Sequence, residues 1–131
     1  MVPHRGAVMI DHVTLNVTDL ARSRLFYEHA LAPLGYEVVK EFLVAAGFGH
    51  KETGKPDFWV VQREPLHTKV HVAFGCPTRH LVDAFYAAAM AAGGEDNGPP
   101  GIREMYHPDY YGAFVLDPDG NNVEAVCRQP E

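Results

Sequence analysis

Long hydrophobic runs are missing from this chain: no apolar stretch approaches the roughly 20 residues needed to cross a bilayer. The opening stretch, Met1 to Met9, carries His4 and Arg5 with no long apolar segment behind them, so it does not read as a signal peptide. Runs of lysine or arginine are also lacking, and the formal net charge is -6. Both features speak against a nucleic-acid or anionic-membrane partner, because such partners are gripped by clustered basic side chains. Cysteine is scarce. Cys76 and Cys127 each sit in an apolar stretch and lack CxxC spacing. They read as buried free thiols, not as a disulfide or a zinc or redox pair, which suits a reducing cytoplasm. What is present is a chain of 131 residues, 47% hydrophobic and 21% charged, the balance of an ordinary globular protein. That length fits one compact domain or two tightly joined small modules.

The strongest organising signal is self-similarity. Placing His12 over His71, an offset of 59 residues, puts Val13 on Val72 and Phe26-Tyr27 on Phe85-Tyr86. In the same register Ala30 falls on Ala89, Ala32 on Ala91 and Gly35 on Gly94. The chain therefore reads as two copies of one supersecondary unit, spanning about 9–63 and 70–127. Each copy opens with a half-buried strand. Val13, Leu15 and Val17 share one face against His12, Thr14 and Asn16; Val70, Val72 and Phe74 share one face against His71, Ala73 and Gly75. A histidine leads the non-apolar face both times. A helix follows, with Thr18 and Thr78 expected as N-caps and glycines at Gly35 and Gly93-Gly94 expected to end it.

Further strands follow each helix: Phe42 to Phe48 and Asp57 to Arg63 in the first copy, Tyr110 to Asp117 and Asn121 to Cys127 in the second. Pro118-Asp119-Gly120 is a turn signal, with Pro presetting φ and Gly supplying a positive one, so Asp117, Asp119 and Gly120 are read as turn residues. Glu64 to Lys69 is a short linker. Asn97 to His107, with Pro99-Pro100-Gly101, reads as a long irregular loop, and loops of that length are uncommon unless functional. It is expected to be a mobile flap.

A tandem strand-helix-strands unit, a histidine leading each copy, and a terminal Asp-Pro-Asp-Gly-Asn-Asn-Val-Glu hairpin together resemble the vicinal oxygen chelate superfamily. That group contains glyoxalase I, extradiol dioxygenases, fosfomycin-resistance transferases and bleomycin-resistance proteins. The resemblance covers about Met9 to Cys127. It implies an α+β fold in which tandem βαβββ modules form curved mixed sheets that close into a cup, with helices outside. It also implies a divalent metal (iron, zinc, nickel, manganese or cobalt) held by His12, His71 and Glu124. The residues agree: the two histidines are repeat-equivalent, and Glu124 is a carboxylate among Val123, Ala125 and Val126, costly to bury without a cation or donors nearby.

One family feature is lacking. Glyoxalase I has a fourth ligand, usually glutamate, on the last strand of the first module. Here the equivalent of Glu124 falls near Val60 or Gln62, depending on register, and neither is a carboxylate. Two histidines and one glutamate leave coordination positions open, as in the facial triad of non-haem iron sites. The departure speaks against glyoxalase I chemistry, with Gln62 left as a weak fourth ligand or a substrate contact. His107, Tyr110 and Tyr111 read either as substrate contacts and proton donors at the cup's mouth, alongside Glu124, or as an aromatic loop packed on a sheet edge. Asn16, Thr14 and Asn122 share strand faces with the proposed ligands and are candidate supporting or substrate-binding donors.

Two function classes follow. One is a metal-dependent lyase, isomerase, dioxygenase or thiol transferase acting on a small oxygen-chelating substrate. The other is a metal-free protein that sequesters a small molecule or drug in an aromatic-lined cleft. In related two-module members, the first module of one chain closes a cup with the second module of its partner. A homodimer is expected on that basis, and the short linker is consistent with it.

Overall fold

The computed structural model describes residues 10–64 and 70–130. Most of the linker Glu64 to Lys69 therefore lies outside the described residues. The fold is α+β, with two mixed sheets and two helices. The first module runs β1 (Val13–Val17), α1 (Leu20–Leu31), a 3-10 turn (Ala32–Leu34), β2 (Tyr36–Phe42), β3 (Ala45–His50) and β4 (Phe58–Gln62). The second runs β5 (His71–Gly75), α2 (Arg79–Ala91), two short strands β6 (Glu95–Asp96) and β7 (Gly101–Ile102), then β8 (Tyr111–Leu116) and β9 (Asn122–Cys127). The sheet orders are β1-β4-β3-β2 and β5-β9-β8-β6, with β7 also on β8. In each, the leading strand pairs in parallel with the last strand and lies at the sheet's edge. No helix among the described residues is long and apolar enough to cross a membrane.

Alternation explains which face packs. Leu15, Val17, Phe58 and Val60 in one sheet, and Val115, Val123, Ala125 and Cys127 in the other, are buried in one continuous core with the helices. Phe26, Tyr27, Ala30 and Leu31 supply the buried stripe of α1; Val82, Phe85 and Ala89 supply that of α2. The modules meet helix to helix, α1 on α2. Gly94 lies at this seam: a Cβ there would stand 2.8 Å from Phe26 and closer still to Val115. Glycine at this position, equivalent to the helix-ending Gly35, is what lets the two modules close up.

A second junction is polar. Asp117, buried ahead of the β8–β9 turn, accepts the backbone N–H groups of Asp119 (2.9 Å) and Asn121 (2.8 Å), as well as the Asn121 amide. The oxygen that takes the Asn121 amide also accepts the Tyr27 hydroxyl from α1, at 2.6 Å. Burial, together with the Asp117 charge, pushes the Tyr27 phenol well above its ordinary pKa, so it stays a donor. Tyr27→Phe should lower unfolding stability by about 1–3 kcal/mol, because a buried carboxylate loses a donor. Urea denaturation checks this; an unchanged midpoint would show that the bond contributes nothing net.

Three expectations need correction. Thr18 does not cap α1. Its hydroxyl donates to Asp119 of the β8–β9 turn, and Asp19 takes the cap, accepting the Arg22 N–H at 3.2 Å; Thr78 does cap α2. The run Phe42 to Phe48 is not one strand, because the chain reverses at Leu43-Val44 between β2 and β3. That turn carries no Gly, Pro or Asn signal and leaves Leu43 96% exposed. Asn97 to His107 is not one irregular flap. Its first half lies along β8: Gly101 pairs Gly112, Ile102 pairs Tyr111, and Asn97 N–H donates to the Phe114 carbonyl at 2.9 Å. Pro99-Pro100 splits this fourth strand into β6 and β7, since proline cannot donate to a ladder, and so hides it from a periodicity reading.

Candidate metal centre

Strands β5 and β9 run side by side with His71 opposite Asn122 and Ala73 opposite Glu124. Val123, Ala125 and Cys127 turn toward the core, so Asn122 and Glu124 occupy the other face. There Glu124 is 1% exposed, and its Oε1 lies 2.7 Å from His71 Nε2. Its Oε2 accepts the Tyr110 hydroxyl, a short hydrogen bond. Burial, then the bond to Glu124 and its charge, push the Tyr110 phenol up to about 12, so Tyr110 remains a donor through the neutral range. Gly112 makes this possible: a Cβ there would stand 3.2 Å from Tyr110 and 3.4 Å from Glu124.

These residues floor an open cavity of about 340 Å³, lined by His71, Tyr106, Tyr110, Phe114, Glu124 and Arg128. Tyr106 packs edge-on against Tyr110, with ring centroids 5.0 Å apart, and the Arg128 guanidinium carbon lies over the Tyr110 ring at 4.9 Å. Phe114 lies opposite Glu124 in the β8–β9 ladder. Phe114, Tyr106 and Arg128 were not among the residues singled out from sequence. Phe114 carried a signal, sharing the alternation of Gly112; Arg128, just beyond β9, carried none.

The remaining candidates stand elsewhere. His12 precedes β1 in the other sheet, exposed, with Nδ1 2.9 Å from Asp11. Among the described residues of one chain, no three His, Cys, Asp or Glu side chains gather into a metal-ligating group. Tyr111 points to the opposite face from Tyr110: its hydroxyl donates to Asp83 of α2 at 2.6 Å, beneath Arg79. It ties sheet to helix and does not line the cavity. His107 Nδ1 accepts the Asp109 N–H at 3.0 Å, a local turn contact, and His107 too is absent from the cavity wall. Asn16 faces away from the core on β1, nearly buried, and accepts from Arg63 Nε at 2.9 Å.

Gln62 is corrected in role. It lies on the helix side, where its side-chain oxygen accepts the Leu20 N–H at 2.8 Å, at the start of α1. The register also settles which residue matches Glu124 in the first module. Thr14, the repeat-equivalent of Ala73, pairs with Trp59, so Trp59 takes that position rather than Val60 or Gln62. Its indole lies over Gly47 and stacks with Phe42, with centroids 6.1 Å apart. A bulky apolar ring stands where a fourth ligand would be.

The donor set is chemically suited to a divalent metal. Imidazole nitrogen and carboxylate oxygen are both donor types that such a metal takes, and here the two lie 2.7 Å apart, in hydrogen-bond contact. Asn122 Oδ1, on the same face, is buried without a hydrogen-bond partner among the described residues, and Asn122 does not line the cavity.

Comparison with known proteins agrees with this architecture. A crystal structure of a glyoxalase/bleomycin resistance protein from Albidiferax ferrireducens T118 is similar at 29% identity and TM-score 0.79, covering 93% of this chain and all (100%) of that one. A glyoxalase/bleomycin resistance protein/dioxygenase family enzyme from Burkholderia phytofirmans PsJN shares the fold at 20% identity and TM-score 0.71, with coverage of 93% and 100%. A glyoxalase I mutant from Zea mays matches at 26% identity and TM-score 0.67, over 89% of this chain but 46% of its own. No curated protein sequence matches. The sequence model of one family spans residues 9–125, nearly the whole of both modules, and with the paired sheets and the His71–Glu124 floor it leads to one assignment: the chain belongs to the Glyoxalase/Bleomycin resistance protein/Dioxygenase superfamily.

Proposed function

We propose that the protein is a divalent-metal-dependent enzyme acting on a small molecule with two neighbouring oxygen atoms. In this reading it is a homodimer, with each metal held by His12 of one copy and His71 and Glu124 of a second copy. The observation that carries the reading is the pairing of a fully buried carboxylate with a histidine ring nitrogen at 2.7 Å on the floor of an open cavity. A buried carboxylate is costly to keep unless it is tied down by donors or a cation. The need for a second copy follows from His12, which lies on the free edge of the other sheet. An edge strand is open to pairing, so the β1 edge of one copy beside the β5 edge of another would bring the two repeat-equivalent histidines together.

When bound, a divalent cation of the iron, zinc, nickel, manganese or cobalt type supplies Lewis acidity toward the two oxygens. The protein supplies the rest. Tyr110 orients the Glu124 carboxylate by its hydrogen bond, the supporting role that fixes a ligand's direction. Its raised pKa keeps the proton on the phenol, where it holds the Glu124 carboxylate. Phe114 and Tyr106 wall the cavity with aromatic rings. Trp59 in the fourth ligand's place leaves coordination positions open and favours a chemistry other than that of glyoxalase I.

A second reading has one observation in its favour: both Glu124 oxygens already have partners within one chain, as a metal-free binding protein would require. Metal analysis separates the two. Protein purified without added metal, then incubated with Fe(II), Ni(II), Co(II), Mn(II) or Zn(II) and desalted, is expected to retain about one ion per chain and to gain thermal stability. His71→Ala should lose both. Unchanged stoichiometry in that variant, or no retained ion in the wild type, would sink the metal reading.

A further inference from the structure

Among the arginines of the described residues, Arg128 is unlike the others. Arg22 pairs with Asp119, Arg24 with Glu41 and Arg79 with Asp109. Arg63 donates to Asn16, and Arg103 to the Pro99 carbonyl. Arg128 has neither an ion pair nor a hydrogen-bond acceptor among the described residues. Its guanidinium carbon lies over the Tyr110 ring instead, 4.9 Å from the ring's centre. A guanidinium with no acceptor among the described residues keeps its N–H groups available, and their fork matches a carboxylate. The same Tyr110 ring bears the hydroxyl that binds Glu124, so the guanidinium and the His71–Glu124 floor lie one phenol ring apart in one cavity. The aromatic rings of Phe114 and Tyr106 line the same cavity.

We infer that the ligand of this cavity is an aromatic carboxylic acid, its ring against Phe114 and Tyr106 and its carboxylate in the fork of Arg128. The inference rests on the cavity being the substrate site, and it names the substrate class: an arylacid whose remaining oxygens face His71 and Glu124. Charge supports the choice of an anion. The carboxylate on the floor is already engaged by His71 and Tyr110, which leaves Arg128, among the described residues, as the cavity's charge without an ion pair.

The test uses phenylacetate and its neutral isostere phenylacetamide, titrated into the full-length protein by ligand-observed NMR and calorimetry, with and without added metal. Phenylacetate should bind at least about tenfold more tightly, the usual strength of a charge-assisted, bidentate contact. Arg128→Met should bring the two within about twofold; Arg128→Lys, a point charge without the fork, should retain a reduced preference. The inference is overturned by equal binding in the wild type, by binding of neither probe, or by the full preference surviving in Arg128→Met. Should Arg128→Met not fold, full preference in Arg128→Lys overturns it instead. A preference that persists in protein unable to retain metal leaves this inference standing while the metal reading fails; retained metal with no preference does the reverse.

Discussion

A mixture of His12→Ala and Glu124→Ala chains, denatured and refolded together, should recover about a quarter of wild-type metal binding, although neither variant alone binds metal; random pairing into closed two-fold dimers gives that fraction. The expectation follows from where the side chains stand. His71 and Glu124 meet on one sheet, while His12 precedes β1 on the other, and the modules of one chain are joined through α1 and α2. If the cup is closed between copies, one site takes His12 from the first chain with His71 and Glu124 from the second, and the other site takes the reverse set. In a mixed dimer both lesions then fall in the same site and its neighbour is intact. If each site were built within one chain, every site in the mixture would carry one lesion and no binding would return. A monomer in sedimentation would likewise end the dimer reading.

Glu124→Gln should weaken metal retention by at least about 100-fold, since altering even a supporting contact to a ligand costs about 10–100-fold. The fold should survive, because the amide has the same shape. Its oxygen can accept from Tyr110 and its NH2 can donate to a neutral His71 ring nitrogen, so both present contacts persist. Apo-protein stability should be unchanged or raised, because a desolvated charge is replaced by a neutral group of equal volume. Chelator competition with a metal indicator reads the affinity, and the urea midpoint reads the fold. Wild-type retention by this variant would remove Glu124 from the ligand set. A collapsed urea midpoint would instead make the carboxylate a structural residue.

Much of this architecture was legible in the residues. The 59-residue offset between His12 and His71 marked two modules, and alternation about Val13-Leu15-Val17 and Val123-Ala125-Cys127 marked the core-facing sides. Those apolar faces placed His71 and Glu124 on the opposite face, which is where they meet. Asp117 and Gly120 were legible because turn chemistry is local: Asp117 folds the turn by accepting its N–H groups, and Gly120 takes φ 85°.

What the sequence determined by itself was therefore whatever depends on near neighbours: two repeated units, their helices, the face of each strongly patterned strand, and the terminal hairpin. Tertiary structure decided the rest. Tyr110 and Tyr111 are the same residue type side by side, so composition cannot say which reaches Glu124; the start of β8 and the space left by Gly112 decide it. Gln62 lost its site role because the first turn of α1 offers its side chain an N–H. Trp59 gained the fourth ligand's position from the β1–β4 register, a long-range pairing. Residues 95–102 became the fourth strand because β8 offered them an open edge, which their own Pro-interrupted pattern could not announce. Period-two and helical patterns report which way a side chain faces, whereas contacts between sheets depend on how whole modules dock, through Gly94, Tyr27 and Asp117, and that docking keeps His12 apart from His71 and Glu124 within a single chain.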